Sequence, residues 1–262
     1  MAFLNDMTRF FTWQRVPASR IRFRNLLAET RILLGYAITY ILIAYIIGKI
    51  ILRAPFPIMG AAQFSQDLWY SGLFKIVLLL LLPSFIYFVA WRYKFRELLF
   101  GWRPDARNII ATITLVVVCF FLNASHLGRI SDQIHKVDRV PLRLILGIFM
   151  PLFTAALPEE LFFRCYLQTR LEKISHRIVA IIMTSILFMA WHIPTRYLLS
   201  KGVEGQAGDW GQVLLHTGVP VFIISLIFGY LWSRNRNIII LILAHWAIDT
   251  LPSISSYLGI SY

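Results

Sequence analysis

The chain is built around apolar runs of about twenty residues, the length a helix needs to cross the hydrocarbon core of a bilayer. Residues 32–52, ILLGYAITYILIAYIIGKIIL, are one of them, and similar runs recur to the C-terminus. Backbone N–H and C=O groups in lipid must be satisfied within their own segment, so each run is expected to be a transmembrane helix. Composition agrees. Hydrophobic residues make up 58% of the 262, and the mean hydropathy of +0.67 exceeds that of an ordinary soluble domain. The fold class expected is therefore all-α: a polytopic membrane bundle with spans at 32–52, 72–91, 108–128, 146–169, 178–198, 211–232 and 237–257. The fourth belongs to a longer helical pattern, from Leu142 to Ile174. Pro252 and the polar SISS that follows could end the seventh early. An eighth helix, lying in the interface, results if the arginine-bearing residues 3–24 fold as one.

The formal charge of +13 does not indicate nucleic-acid binding, because the basic residues form no aromatic-interleaved patch. They cluster between the spans, where membrane topology places Lys and Arg. Segments 1–30, 92–107 and 170–177 and the turn SRNRN are basic, whereas 53–71, 194–210 and the stretch after Asp249 are poorer. Only 129–143 dissents, with Arg129, Lys136, Arg139 and Arg143. This bias places the N-terminus in the cytoplasm, with a basic cytoplasmic or interfacial segment at 1–30 followed by the bundle at 31–262. A cleaved signal peptide is not expected, since about thirty basic, aromatic-flecked residues precede the first long run. Cys119 and Cys165, in or beside apolar spans, read as small core residues.

Ten of the thirteen acidic residues fall in the tail or loops; Glu159, Glu160 and Asp249 do not. His192 and His245 likewise lie within spans. An ionisable group at bilayer depth costs on the order of 2.5–3.5 kcal/mol even on the gentler insertion scale, and survives by facing protein and finding partners. Glu159 lies near the middle of its span, His192 roughly 6 Å past the centre of 178–198 at 1.5 Å per residue, and His245 and Asp249 straddle the centre of 237–257. Residues four apart share a helix face. Arg164 can thus neutralise Glu160, which leaves Glu159 unneutralised in a different sector. Phe188 pairs in the same way with His192, and His245 with Asp249, an aspartate placed to hold an imidazole in one tautomer. Pro158 could kink the helix beside the glutamates.

Such a set suits the addition of water to a carbonyl. A desolvated carboxylate is a competent general base, a nearby histidine can share its water, and a second imidazole can donate to the developing oxyanion. No serine elbow, CxxC pair or HExxH is present to suggest another hydrolytic chemistry.

The motifs EExxxR at Glu159–Arg164, FxxxH at Phe188–His192 and HxxxD at His245–Asp249, in this order on late helices, resemble the CPBP family. It comprises the type-two CAAX prenyl proteases and their bacterial relatives, often called Abi proteins. The resemblance covers about residues 140–255 and implies an intramembrane endopeptidase, a hydrolase acting on a membrane-associated peptide or protein, lipidated or not. It further implies that Glu159 and His192 activate water, that His245 and Asp249 serve the oxyanion or orient the site, and that Glu160, Arg164 and Phe188 support them. Eukaryotic members usually carry Asn where this chain has Asp249. An ionised aspartate cannot donate to an oxyanion, so Asp249 is assigned to positioning His245. No cofactor is expected, the alternative being zinc held by Glu159, His192 and His245. Two other classes stay open: a non-catalytic scaffold or bacteriocin-immunity protein of the same family, and a small transporter with Glu159 and Asp249 on a proton path. The lack of an inverted repeat counts against the last. His216 stands outside every motif and reads as a pore-facing or interface residue, and Trp191 and Trp246 as lipid- or core-facing bulk.

Overall fold

Every long apolar run that the structure describes is helical, and among the described residues there is no strand. The structure, a computed structural model, describes residues 23–53, 71–97, 106–199 and 208–259. Eight helices are labelled here: α1 (Leu26–Arg53), α2 (71–90), α3 (Ala106–Phe121), α4 (His126–Ile134), α5 (Val140–Ile174), α6 (Arg177–Leu199), α7 (Trp210–Asn235) and α8 (Ile238–Leu258). Their starts follow ordinary capping chemistry. The side chains of Asn25, Asp209 and Asn237 accept from first-turn amides of α1, α7 and α8, satisfying donors that the helix itself cannot pair.

Among the described residues, five helices are long and apolar enough to cross a bilayer, within Leu26–Ile46, Val140–Ile174, Arg177–Leu198, Trp210–Asn235 and Ile238–Leu258. The expected count of about seven is somewhat higher. The third expected span, 108–128, is not one helix: α3 and α4 meet at 69°, and together they make a sixth crossing only if the bent pair is one span. In the second, the apolar stretch Lys75–Ala90 is shorter than the five. The interfacial helix expected at 3–24, and most of the 1–30 segment, lie outside the described residues; 26–30 already belong to α1. Large hydrophobics stay exposed in stripes at four-residue steps: Ile38, Leu42 and Ile46 on α1, Ile109, Ile113 and Val117 on α3, and Val219, Ile223 and Ile227 on α7. Water would penalise such faces and lipid tails do not. The chain is a multi-pass membrane protein.

The bundle turns the usual distribution inside out around α5, which is enclosed from Pro158 to Leu171. That stretch buries Glu159, Glu160, Arg164, Gln168, Thr169 and Arg170, so α5 carries the polar interior. Glu29 of α1 reaches it from one side. Arg170 donates to Glu29 through Nε at 2.8 Å, and the Tyr93 hydroxyl donates to the same carboxylate at 2.9 Å. Arg143, read as part of the dissenting loop, is instead buried near the start of α5. It donates to the Asp138 carbonyl at 2.9 Å and the Tyr257 carbonyl at 2.8 Å, tying this end of α5 to the end of α8. One of the four basic residues that opposed the charge bias therefore has a structural use.

Helix α8 does not stop at Pro252 as the sequence allowed; it runs on to Leu258. Proline has no N–H to give the Ile248 carbonyl one turn back, and the Asn123 side-chain amide donates to that carbonyl at 2.8 Å. Asn123 lies in the turn between α3 and α4, so that turn presents its side chain to α8. Close approach finishes the joint: a Cβ on Gly147 of α5 would lie 2.7 Å from the Ile254 Cα of α8. Replacing Asn123 by Leu should destabilise the protein by about 1–3 kcal/mol, the desolvation cost of one orphaned buried group. A melting temperature equal to that of wild type in detergent would show that the carbonyl finds another donor.

Candidate active site

Glu159 and Glu160 sit where α5 is least regular. π-helical turns at Leu152–Ala156 and Leu161–Gln168 flank a single α-turn, Leu157–Glu160, that contains Pro158. Pro158 lacks the N–H that the Thr154 carbonyl would otherwise receive, and the helix widens around it rather than breaking. The expected kink thus takes the form of π turns, a form frequent at functional sites.

Both glutamates are fully buried, and they face different partners. Glu160 accepts from Arg164 Nε at 3.2 Å, the expected i,i+4 pair. The guanidinium continues to Ser225 Oγ of α7 at 2.9 Å. Glu160 also meets His245 Nδ1 at 2.8 Å through its other oxygen. A carboxylate only accepts, so Nδ1 carries the hydrogen. Glu160 therefore orients the imidazole that the sequence assigned to Asp249. Asp249 Oδ2 lies at 3.4 Å from Nε2 of the same ring, on the opposite edge.

His192 is set by its own helix. Its Nδ1 is 2.8 Å from the Phe188 carbonyl, which makes Nδ1 the donor and leaves Nε2 with its lone pair when the ring is neutral. The FxxxH spacing thus acts through the backbone of Phe188 as well as its ring. That ring lies 4.7 Å from the His192 ring, 6.1 Å from the His245 ring and 5.2 Å from the Arg164 guanidinium carbon, an apolar wall shared by three members of the site.

Glu159 stands between the two imidazoles. Its Oε2 is 3.5 Å from His192 Nε2 and 3.8 Å from His245 Nε2, and this buried oxygen has no hydrogen-bond partner among the described residues. Exposure rises outward from it, from 0% for the Glu159 side chain through 10% for His245 and 13% for His192 to 36% for Asp249. The cluster is thus closed at Glu159 and open at Asp249.

One expectation is corrected here. Glu159 is not an unneutralised carboxylate: Lys75 of α2 forms an ion pair with its Oε1. The sequence did hold a signal, since Lys75 is the sole charged residue in 72–91, yet nothing in one dimension joins it to a glutamate on another helix. The other readings stand as follows. His216 is exposed and apart from the cluster, Cys119 and Cys165 are buried and form no disulfide, Trp191 is core, and the Trp246 indole donates to the Ile148 carbonyl at 2.6 Å. No group of three or more His, Cys, Asp or Glu residues arranged to hold a metal ion occurs among the described residues.

Residues 141–251 match a family model described as Type II CAAX prenyl endopeptidase Rce1-like. No curated protein and no solved structure shows a significant match. The matched stretch runs from α5 into α8 and contains Glu159, Glu160, Arg164, Phe188, His192, His245 and Asp249. Lys75 and helices α1–α4 fall outside it.

Proposed function

We propose, from the match of residues 141–251 to a family model of Rce1-like type II CAAX prenyl endopeptidases, that this chain is an intramembrane endopeptidase of glutamate/histidine type. The observation that carries this reading is the bare Glu159 Oε2, buried and facing Nε2 of both imidazoles. Two acceptors 3.5 Å apart, Glu159 Oε2 and His192 Nε2, call for a species with two hydrogens to donate. Water is that species.

In the proposed reaction this water gives one proton to the Glu159–His192 pair as its oxygen bonds to the scissile carbonyl carbon. The carbonyl π electrons move onto oxygen, and a proton on His245 Nε2, otherwise turned toward Asp249, donates to that oxyanion. Collapse re-forms the C=O and breaks the C–N bond, and the proton held by Glu159 and His192 passes to the leaving amine. Water has then been added across one peptide bond, and the site returns to its starting state. Asp249, at the open edge, positions His245 from that side. The substrate is a membrane-associated peptide or protein carrying a prenylated CaaX-type end, and the N-terminus of the enzyme faces the cytoplasm.

Zinc is the alternative use of the same atoms, with Glu159, His192 and His245 as ligands and polarisation of the carbonyl as its chemistry. The fit is poor, because the ammonium of Lys75 already neutralises Glu159 and would repel a divalent cation beside it. We therefore favour catalysis without a metal.

The test uses wild type, Glu159→Ala and His192→Ala purified in detergent with a prenylated CaaX reporter peptide, with and without chelator. Cleavage should be lost in both variants and persist in chelator. Cleavage retained by both variants would reject this site, and a cellular phenotype that survives both substitutions would point to a scaffold. Loss in chelator restored by zinc would reject the metal-free mechanism.

A further inference from the structure

Each reactive group at the centre is held through the atom that faces away from it. His192 is held at Nδ1 by the Phe188 carbonyl and His245 at Nδ1 by Glu160, which brings both Nε2 atoms within 3.5 and 3.8 Å of Glu159 Oε2, the His245 Nε2 being shared with Asp249 at 3.4 Å. Glu159 follows the same rule, with Oε1 on Lys75 and Oε2 inward. From this pattern, and resting on the function proposed above, we infer that Lys75 is a positioning residue of the active site, acting through Glu159.

The path of α2 supports the assignment. Lys75, Leu79, Pro83 and Tyr87 follow at four-residue steps, and the last three are buried. A stripe packed in this way should be apolar throughout, since an ammonium at such depth is costly. Lys75 breaks the stripe at the level of Glu159, with its side chain 14% exposed. A carboxylate with one oxygen pinned cannot rotate to present the other elsewhere, and the neighbouring ammonium balances the charge that makes Glu159 a base. Reactive groups held in the productive geometry contribute strongly to rate, and a misplacement of about 1 Å can cost on the order of 100-fold. Because Lys75 comes from α2, outside the family-matched stretch, the first half of the chain completes a site whose other residues all lie in the second.

The experiment compares Lys75→Met, Lys75→Arg, Glu159→Gln and the double variant Lys75→Met/Glu159→Gln in the full chain, with the same prenylated reporter in detergent. Lys75→Met should lower kcat by about 10- to 100-fold with KM within about threefold. Lys75→Arg, which keeps the cation, should recover most of the loss. The double variant should be no slower than Glu159→Gln alone, because the two changes remove one interaction. If Lys75→Met does not fold, Lys75→Gln, one atom shorter and uncharged, carries the same comparison. Wild-type kcat in Lys75→Met, or losses that multiply in the double variant, would overturn the inference while leaving Glu159 as the base. A Glu159→Gln protein that turns over like wild type would instead remove the functional reading. The melting temperatures of wild type, Lys75→Met, Glu159→Gln and the double variant report on the pair independently of turnover: non-additive shifts support it, and additive shifts overturn it.

Discussion

Glu159→Gln should lower kcat/KM for the prenylated reporter by about 10²–10⁴-fold, the usual contribution of a general base. Glutamine matches glutamate in size and fills the same pocket. Its amide, however, cannot take the proton that water must lose, and its NH2 adds donors where an acceptor is needed. The loss should fall on kcat more than on KM, because the carboxylate acts as the water adds. His192→Ala should reduce kcat in the same direction, leaving Glu159 to handle the proton alone. Glu159→Gln turnover within a few-fold of wild type would remove Glu159 from the chemistry, whatever its surroundings.

The second large effect is on stability. Arg164 is fully buried and bonds Glu160 at 3.2 Å, Ser225 at 2.9 Å and Gln168 at 3.5 Å. Arg164→Met keeps the bulk and removes the charge, stranding Glu160 in the interior. Breaking a buried pair on one side costs about 3–5 kcal/mol, a large share of the roughly 5–15 kcal/mol that holds a typical protein folded. A marked drop in melting temperature in detergent is expected. Activity should fall too, because Glu160 is the group that orients His245. Arg164→Lys should lie between the two, since one ammonium cannot span three acceptors as a planar guanidinium does. A Met variant that melts like wild type would mean that Glu160 is satisfied through His245 alone.

These two predictions differ in how far the sequence could reach. The three i,i+4 relations, Glu160–Arg164, Phe188–His192 and His245–Asp249, were legible because they lie within single helices, where 3.6 residues per turn fixes neighbours. All three are present. The helices themselves were legible from the lengths of the apolar runs, and the longer pattern from Leu142 to Ile174 corresponds closely to α5. The α3–α4 break was harder to see. Asn123 in LNAS is a weak signal alone, and it acquires its meaning only from Pro252 on another helix.

Other contacts that build the site were out of reach. Lys75 meets Glu159 across 84 residues and Glu160 meets His245 across 85. Asn123 covers the Ile248 carbonyl across 125, and Arg170 reaches Glu29 across 141. The sequence by itself determined that the chain is helical and membrane-embedded and that Glu159, Glu160 and His245 would lie inside it, though not that Glu29, Arg143 and Arg170 would be buried too, because hydrophobic length and helical period are properties of one segment at a time. Only the tertiary structure decided which of those residues face one another. Pairing depends on how each helix is rotated and at what depth it meets its neighbours, and those quantities are set by packing of the whole bundle.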